Sequence, residues 1–197
     1  LSLAEVIDSA PSGRQSMAEL DGLIRQDIVV DGIRLAVRVG GTGPPLVLLH
    51  GYPQTHVMWH KVAPFLACDF TVVAADLRGY GASSKPPTDA VHTPYSKREM
   101  ASDMAQVMTE LGHDDFYLCG HGRGGRVAHR LAADHGGRIR KLAVLDIAPT
   151  REMYHNTTED FARAYWHWFW LTLPSPLPES MIGAEPEAFL TYKSIEH

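Results

Sequence analysis

The six residues Gly120-His121-Gly122-Arg123-Gly124-Gly125 stand between a short apolar run and an amphipathic one. Two kinds of chemistry use such a turn. Read as G-x-G-x-x-G opening a helix, it admits a pyrophosphate to the helix N-terminus, and Asp146, 21 residues beyond Gly125, would hold a ribose hydroxyl. Read as G-x-Nu-x-G, it is a nucleophile elbow, a sharp strand-to-helix turn that presents one side chain above a sheet. The presented position is then Gly122, which has no side chain and cannot attack. A dinucleotide fingerprint usually sits on the first strand of its domain, whereas this one follows two apolar runs. Spacing alone leaves both readings open.

The elements around this turn alternate. Residues 23–30 and 33–39 read as a hairpin across Asp31-Gly32. Leu46-Val47-Leu48-Leu49, Thr71 to Ala75, Phe116 to Cys119 and Leu142 to Leu145 are short apolar runs of the kind a doubly covered strand requires. Between them the spacing predicts helices around Val57 to Leu66, over 96–111 and from Arg123 to Ala133. The second of these carries Met100, Met104, Val107, Met108 and Leu111 as a core stripe behind a capping Ser96. Strands and helices in alternation imply a mostly parallel sheet with helices on both faces. After Pro149 the texture changes: residues 161–173 hold three of the four tryptophans and read as one helix ended by Pro174, Pro176 and Pro178. Such a helix is either core or a lid.

Composition narrows the partners. The 197 residues are 45% hydrophobic and 21% charged, with 18 Lys+Arg against 23 Asp+Glu and a net charge of −5. That describes an ordinary globular protein with no basic footprint for nucleic acid or anionic lipid. A small molecule is the expected partner. The N-terminus lacks the pattern of a signal peptide, so the cytoplasm is the default expectation. Cys68 and Cys119 read as core residues. Residues 1–16 read as an extension, with Met17 as a natural start, and no cofactor or metal is expected.

Four further motifs choose between the readings of the turn. His50-Gly51-Tyr52-Pro53 leaves one apolar run, Asp76-Leu77-Arg78-Gly79-Tyr80-Gly81 leaves the next, and KLAVLDIAPT and YWHW follow the elbow. Together they resemble the α/β-hydrolase fold, and in detail the fluoroacetate (haloacetate) dehalogenases within it, over about residues 27 to 190. The resemblance implies a core over 17–150 and the start of a helical cap over 151–197, with the fold cut within that cap. It implies a carboxylate nucleophile at position 122, here Gly122, and places the acid that orients a catalytic histidine at Asp146. Substrate-carboxylate positions fall on Arg123 and Arg126, which share a helix face and can each pair bidentately with a carboxylate. The halide pair falls on His167 and Trp168, both N–H donors. The oxyanion donors fall on the backbone of Tyr52 and Arg123.

In this family an aspartate displaces halide beside a carboxylate, and water then cleaves the ester. With Gly122 at the elbow and no matching histidine before His197, the chain is expected to be inactive. Two other readings stand beside it: a non-catalytic relative that binds a small carboxylate, its hydroxy-acid product or a protein, and an epoxide hydrolase-like protein. An unpaired sheet edge would favour self-association or a homodimer.

Overall fold

The computed structural model describes Leu20 and residues 22–195; the expectations for residues 1–16 and Met17 lie outside the described residues. The chain divides after Pro149 into two compact units.

In the first unit, β1 (Ile24–Val30) and β2 (Ile33–Gly40) form the expected hairpin, with Asp31 and Gly32 both at positive φ as a tight two-residue turn requires. β3 (Pro45–Leu49), β4 (Thr71–Ala75), β5 (Phe116–His121) and β6 (Ile139–Leu145) complete one sheet in the order β1-β2-β4-β3-β5-β6. The pairs β1/β2 and β2/β4 are antiparallel and the rest parallel.

Side chains alternate between the two faces. Val47, Leu49, Val73 and Ala75 bury against Met100, Met104 and Met108 and against Val127 and Leu131, which belong to α2 (Lys97–Glu110) and α3 (Arg123–Asp134). Leu46, Leu48, Val72 and Ala74 bury against Trp59 and Ala63 on the other face. Each fully buried side chain of this size stabilises the fold by about 1.5–3 kcal/mol, which makes the sheet centre the rigid platform. The Ser96 cap forms as expected, its Oγ accepting from the Glu99 N–H at 3.2 Å.

Three expectations are corrected. The helix expected over residues 57–66 is a 3-10 turn, His56–Trp59, followed by the short α1 (Ala63–Leu66). Pro64 is the reason: it donates no N–H and is tolerated only in a first turn, so the helix restarts beside it. Cys68 is exposed in the turn after α1, and Cys119 is only half-buried. In the second unit the expected helix over 161–173 is two pieces that meet at Tyr165. The elements there are α4 (Thr150–His155), α5 (Glu159–Ala164), α6 (Trp166–Trp170), α7 (Leu177–Ala184) and α8 (Pro186–Ile195). Tyr165, at φ −112° and ψ 34°, leaves helical geometry and lets its ring stack on Phe161 at 4.8 Å. α6 then ends at Trp170, before the prolines are reached.

β6 pairs with β5, and its Leu142, Val144 and Leu145 are exposed among the described residues. No helix of the described residues is long and apolar enough to cross a membrane.

Behind the strand ends, Arg78 forms a buried two-pronged ion pair with Asp103 of α2, Nε to Oδ2 at 2.6 Å and Nη2 to Oδ1 at 2.5 Å, and donates through Nη1 to the Pro94 carbonyl at 2.9 Å. Removing one partner of such a pair strands the other charge in the core, typically at a cost of about 3–5 kcal/mol. Urea unfolding of Asp103→Ala is therefore expected to show a loss of that size, and a loss below about 1 kcal/mol would mean the pair does not hold the loop to α2.

Candidate active site

Parallel strands in one sheet bring their C-terminal loops to one edge, where open α/β sheets build their sites. Here the register aligns Leu49 with Ala75 and with Gly120, and His121 with Leu145. The loops that begin at His50, Asp76, Gly122 and Asp146 therefore adjoin.

The elbow has the geometry its motif requires. Gly122 lies at φ 51° and ψ −117°, a region closed to most side chains, so glycine removes strain of about 1–3 kcal/mol. An added Cβ at Gly122 would meet only the Gly51 Cα, at 3.5 Å. The space above the elbow is open, and the first loop runs beside it. At Gly124 the reverse holds, because a Cβ would stand 2.5 Å from the His50 carbonyl oxygen and as close to that of Leu49. Only glycine lets α3 seat its first turn on the end of β3.

That seating fixes the donors. Neither the Tyr52 nor the Arg123 backbone N–H donates to an acceptor among the described residues, as an oxyanion hole needs. Arg123 and Arg126 occupy the first turn of α3, as the spacing predicts. The charge of Arg123 reaches His50, Tyr52 and Tyr80. Burial, opposed in part by that charge, pushes both tyrosine hydroxyls above their usual range.

Sequence reasoning gave the Asp76 motif no role, and the structure supplies one. Asp76 is buried and accepts from the His56 N–H at 2.8 Å, the His56 ring Nδ1 at 2.7 Å and the Ala82 N–H at 3.0 Å. Burial alone would raise its carboxyl; these donors outweigh burial and hold it below the usual carboxylate range. Its carbonyl accepts from Ser83 Oγ at 2.7 Å. One carboxylate thus ties the loop after β3 to the loop after β4. His56 and Asp76 are 20 residues apart, and no local spacing announces the pair.

Asp146 stands at positive φ, with its side chain 66% exposed and Oδ2 3.7 Å from His121 Nε2. His167 and Trp168 lie in the second unit on α6, where the buried His167 ring meets Trp166 at 5.9 Å and Trp168 at 6.4 Å. No cluster of His, Cys, Asp and Glu among the described residues could hold a metal ion.

His50, the first residue after β3, is fully buried. Its Nε2 accepts from the Leu77 N–H at 3.1 Å and its Nδ1 donates to the Gly51 carbonyl at 2.9 Å, so the ring is neutral with its proton on Nδ1. Burial lowers its pKa from 6.5 to about 4. The unfolded chain then binds a proton that the folded ring refuses, so stability falls as pH drops from about 6.5 toward 4, by about 3 kcal/mol in all. Urea unfolding at pH 7 and pH 4 checks the size. A His50 ring that titrates near 6.5 in NMR spectra of the folded chain would refute the assignment.

A family profile described as the alpha/beta hydrolase fold matches residues 44–193. The chain is 51% identical over 169 residues to the fluoroacetate dehalogenase of Burkholderia sp, covering 86% of this chain and 56% of that protein. It is 42% identical over 121 residues to the soluble epoxide hydrolase of Corynebacterium sp. strain C12, covering 61% of this chain and 41% of that one. In structure it is similar to an α/β-hydrolase protein from Nostoc sp PCC 7120, with a TM-score of 0.88 and 53% identity over 90% of this chain and 61% of that chain. The chain thus spans between two fifths and three fifths of the length of these relatives. A profile match over most of the residues, the parallel strand register and the glycine elbow between β5 and α3 place this chain in the α/β-hydrolase family.

Proposed function

We propose that this chain carries the carboxylate-binding part of a haloacetate dehalogenase site whose nucleophile position is vacated by Gly122. The observation that supports it is the elbow: Arg123 and Arg126 in the first turn of α3, two undirected N–H donors and an open space at Gly122. Guanidinium groups on one helix face suit a carboxylate, whereas an epoxide carries no charge for them to meet. The paired arginines therefore favour the dehalogenase reading over the epoxide hydrolase one.

The proposed chemistry needs a carboxylate at position 122. Its oxygen attacks the carbon that bears the halogen, the carbon–halogen bond breaks with its electron pair leaving on the halide, and an ester links the side chain to the substrate. Water then hydrolyses the ester to a hydroxy acid. Glycine cannot take the first step, so the chain binds the small carboxylate without turning it over. The halide-donor role of His167 and Trp168 belongs to the same proposal and is supported by their match to the family's motif. Asp146, at the end of β6, is proposed as the acid that orients a histidine base.

Calorimetry with glycolate tests the binding half. Hydrogen bonds to a charged group contribute about 1.5–3 kcal/mol, so Arg123→Gln and Arg126→Gln are each expected to weaken binding at least tenfold. No binding to the parent chain would overturn the reading. The nucleophile half is tested with Gly122→Asp and bromoacetate: the variant should gain the mass of one carboxymethyl group at residue 122, and the parent should gain none there. Because φ at this position is strained for a side chain, the variant should also unfold about 1–3 kcal/mol more easily. Its added negative charge should weaken glycolate binding relative to the parent.

A further inference from the structure

We propose that β1 is a pairing edge: two copies of the chain join their β1 strands antiparallel about a twofold axis at Gln26, so that one sheet continues into the other. β1 lies at the end of the sheet away from the elbow, and the inference does not rest on the carboxylate reading.

Among the described residues β1 pairs with β2 alone. The turn between them shows which backbone groups of β1 are already in use. Asp31 and Gly32, at φ 48° and 76°, form a two-residue turn closed by the pair Val30 and Ile33. In such a hairpin the closing pair exchanges two hydrogen bonds, and every second pair beyond it does the same. Val30, Ile28, Gln26 and Ile24 therefore bond to β2. The N–H and C=O groups of Arg25, Asp27 and Val29 point to the open edge, where no other backbone group among the described residues meets them.

An added antiparallel strand must bond through these three residues, and a second β1 can do so in few registers. An axis at Arg25 sets two guanidinium groups opposite each other, and an axis at Asp27 sets two carboxylates opposite each other; like charges in that position repel. An axis at Ile28 sets Asp27 against Val29 and matches no charge. With the axis at Gln26, Arg25 of each copy faces Asp27 of the other in a hydrogen-bonded pair. The four charges then alternate, each with an opposite charge beside it on its own strand and another across the join. On the other face of the sheet Ile24 meets Ile28 of the other copy in a non-bonded pair, where side chains stand closest. Gln26 meets Gln26, and each amide can donate to the other. The contact is the same surface on both copies, as a twofold dimer requires.

The strand is open to such a partner. Ile24 is 73% exposed and Val29 63%. Edge strands are commonly guarded by Pro, by a bulge or by repelling charges. β1 has no Pro, its register against β2 runs unbroken from Ile24 to Val30, and its two charges are of opposite sign. Within one chain Asp27 holds Arg25 at 3.3 Å and Arg34 at 3.4 Å, both in solvent, so the match across the join adds to contacts already made. The other sheet edge offers no equivalent: β6 carries Arg140 and Lys141 and no acid, so nothing there would fix a register by charge.

Sedimentation of the 197-residue chain tests this. The expected mass at low salt is twice the 21.7 kDa of one chain, with association weakening as salt rises. Asp27→Arg and Arg25→Asp each set like charges across both pairs and should each raise the dissociation constant at least about tenfold. Both side chains are exposed, so the far-UV circular dichroism of each variant should match the parent. An equal mixture of the two variants again sets Arg against Asp at both pairs and should form a heterodimer of parental strength, which an interface elsewhere on the chain would not produce. A parent that stays monomeric up to about 1 mM, a dimer that both variants retain, or variants that stay apart when mixed would each overturn the proposal. Loss of the dimer in Val144→Lys would move the interface to β6 and overturn it as well.

Discussion

The close approach of α3 to the end of β3 is the constraint on which the site depends. Gly124 lies against the Leu49 and His50 carbonyls with no room for a Cβ, and this contact sets where the helix begins. Once it is set, the Arg123 N–H has no acceptor among the described residues, the two arginines lie on the first turn, and Gly122 is held at positive φ beside the first loop. A methyl group at Gly124 would push the helix off the sheet and displace all of them together. Packing between two backbones therefore positions the chemistry, and the side chains that would perform it inherit their places.

Asp76 is the second fixed point. It accepts three hydrogen bonds from residues of two different loops, and an anion so enclosed resists displacement because releasing it would leave several buried donors unsatisfied. The loop carrying Tyr52 is thereby tied to the loop carrying Tyr80, and His50 is kept neutral by burial while its two backbone partners hold the proton on Nδ1. The negative charge of Asp76 is thus spent on structure. Arg123 and Arg126 bring positive charge to the first turn of the helix that follows the elbow.

Much of this was legible in the sequence because it is written in short range. Alternating and continuous apolar runs locate the strands, and the Gly-x-Gly-x-Gly spacing marks the elbow and the arginines that follow it. Where a residue acts over one or two turns of chain, the pattern holds; Ser96 caps its helix as expected. Expectations broke where a local signal competed with another. Pro64 divided the helix around Val57 to Leu66, and stacking of Tyr165 on Phe161 divided the aromatic one. The His56–Asp76 pair was not legible, since strand order brings together residues that share no spacing.

Glycine at the elbow acts on chemistry and on binding in opposite senses. In the proposed chemistry it leaves position 122 with no atom to attack a substrate carbon, and also with no carboxylate to stand beside the arginines and repel an incoming anion. At an effective dielectric near 20, two like charges about 5 Å apart cost roughly 3 kcal/mol, comparable to a good charged hydrogen bond. Glycine also relieves backbone strain at a position whose φ of 51° suits no other residue as well. Under the proposed reading, an elbow with glycine is more stable and more cationic than one bearing a carboxylate, and on both counts it would suit a small acid better.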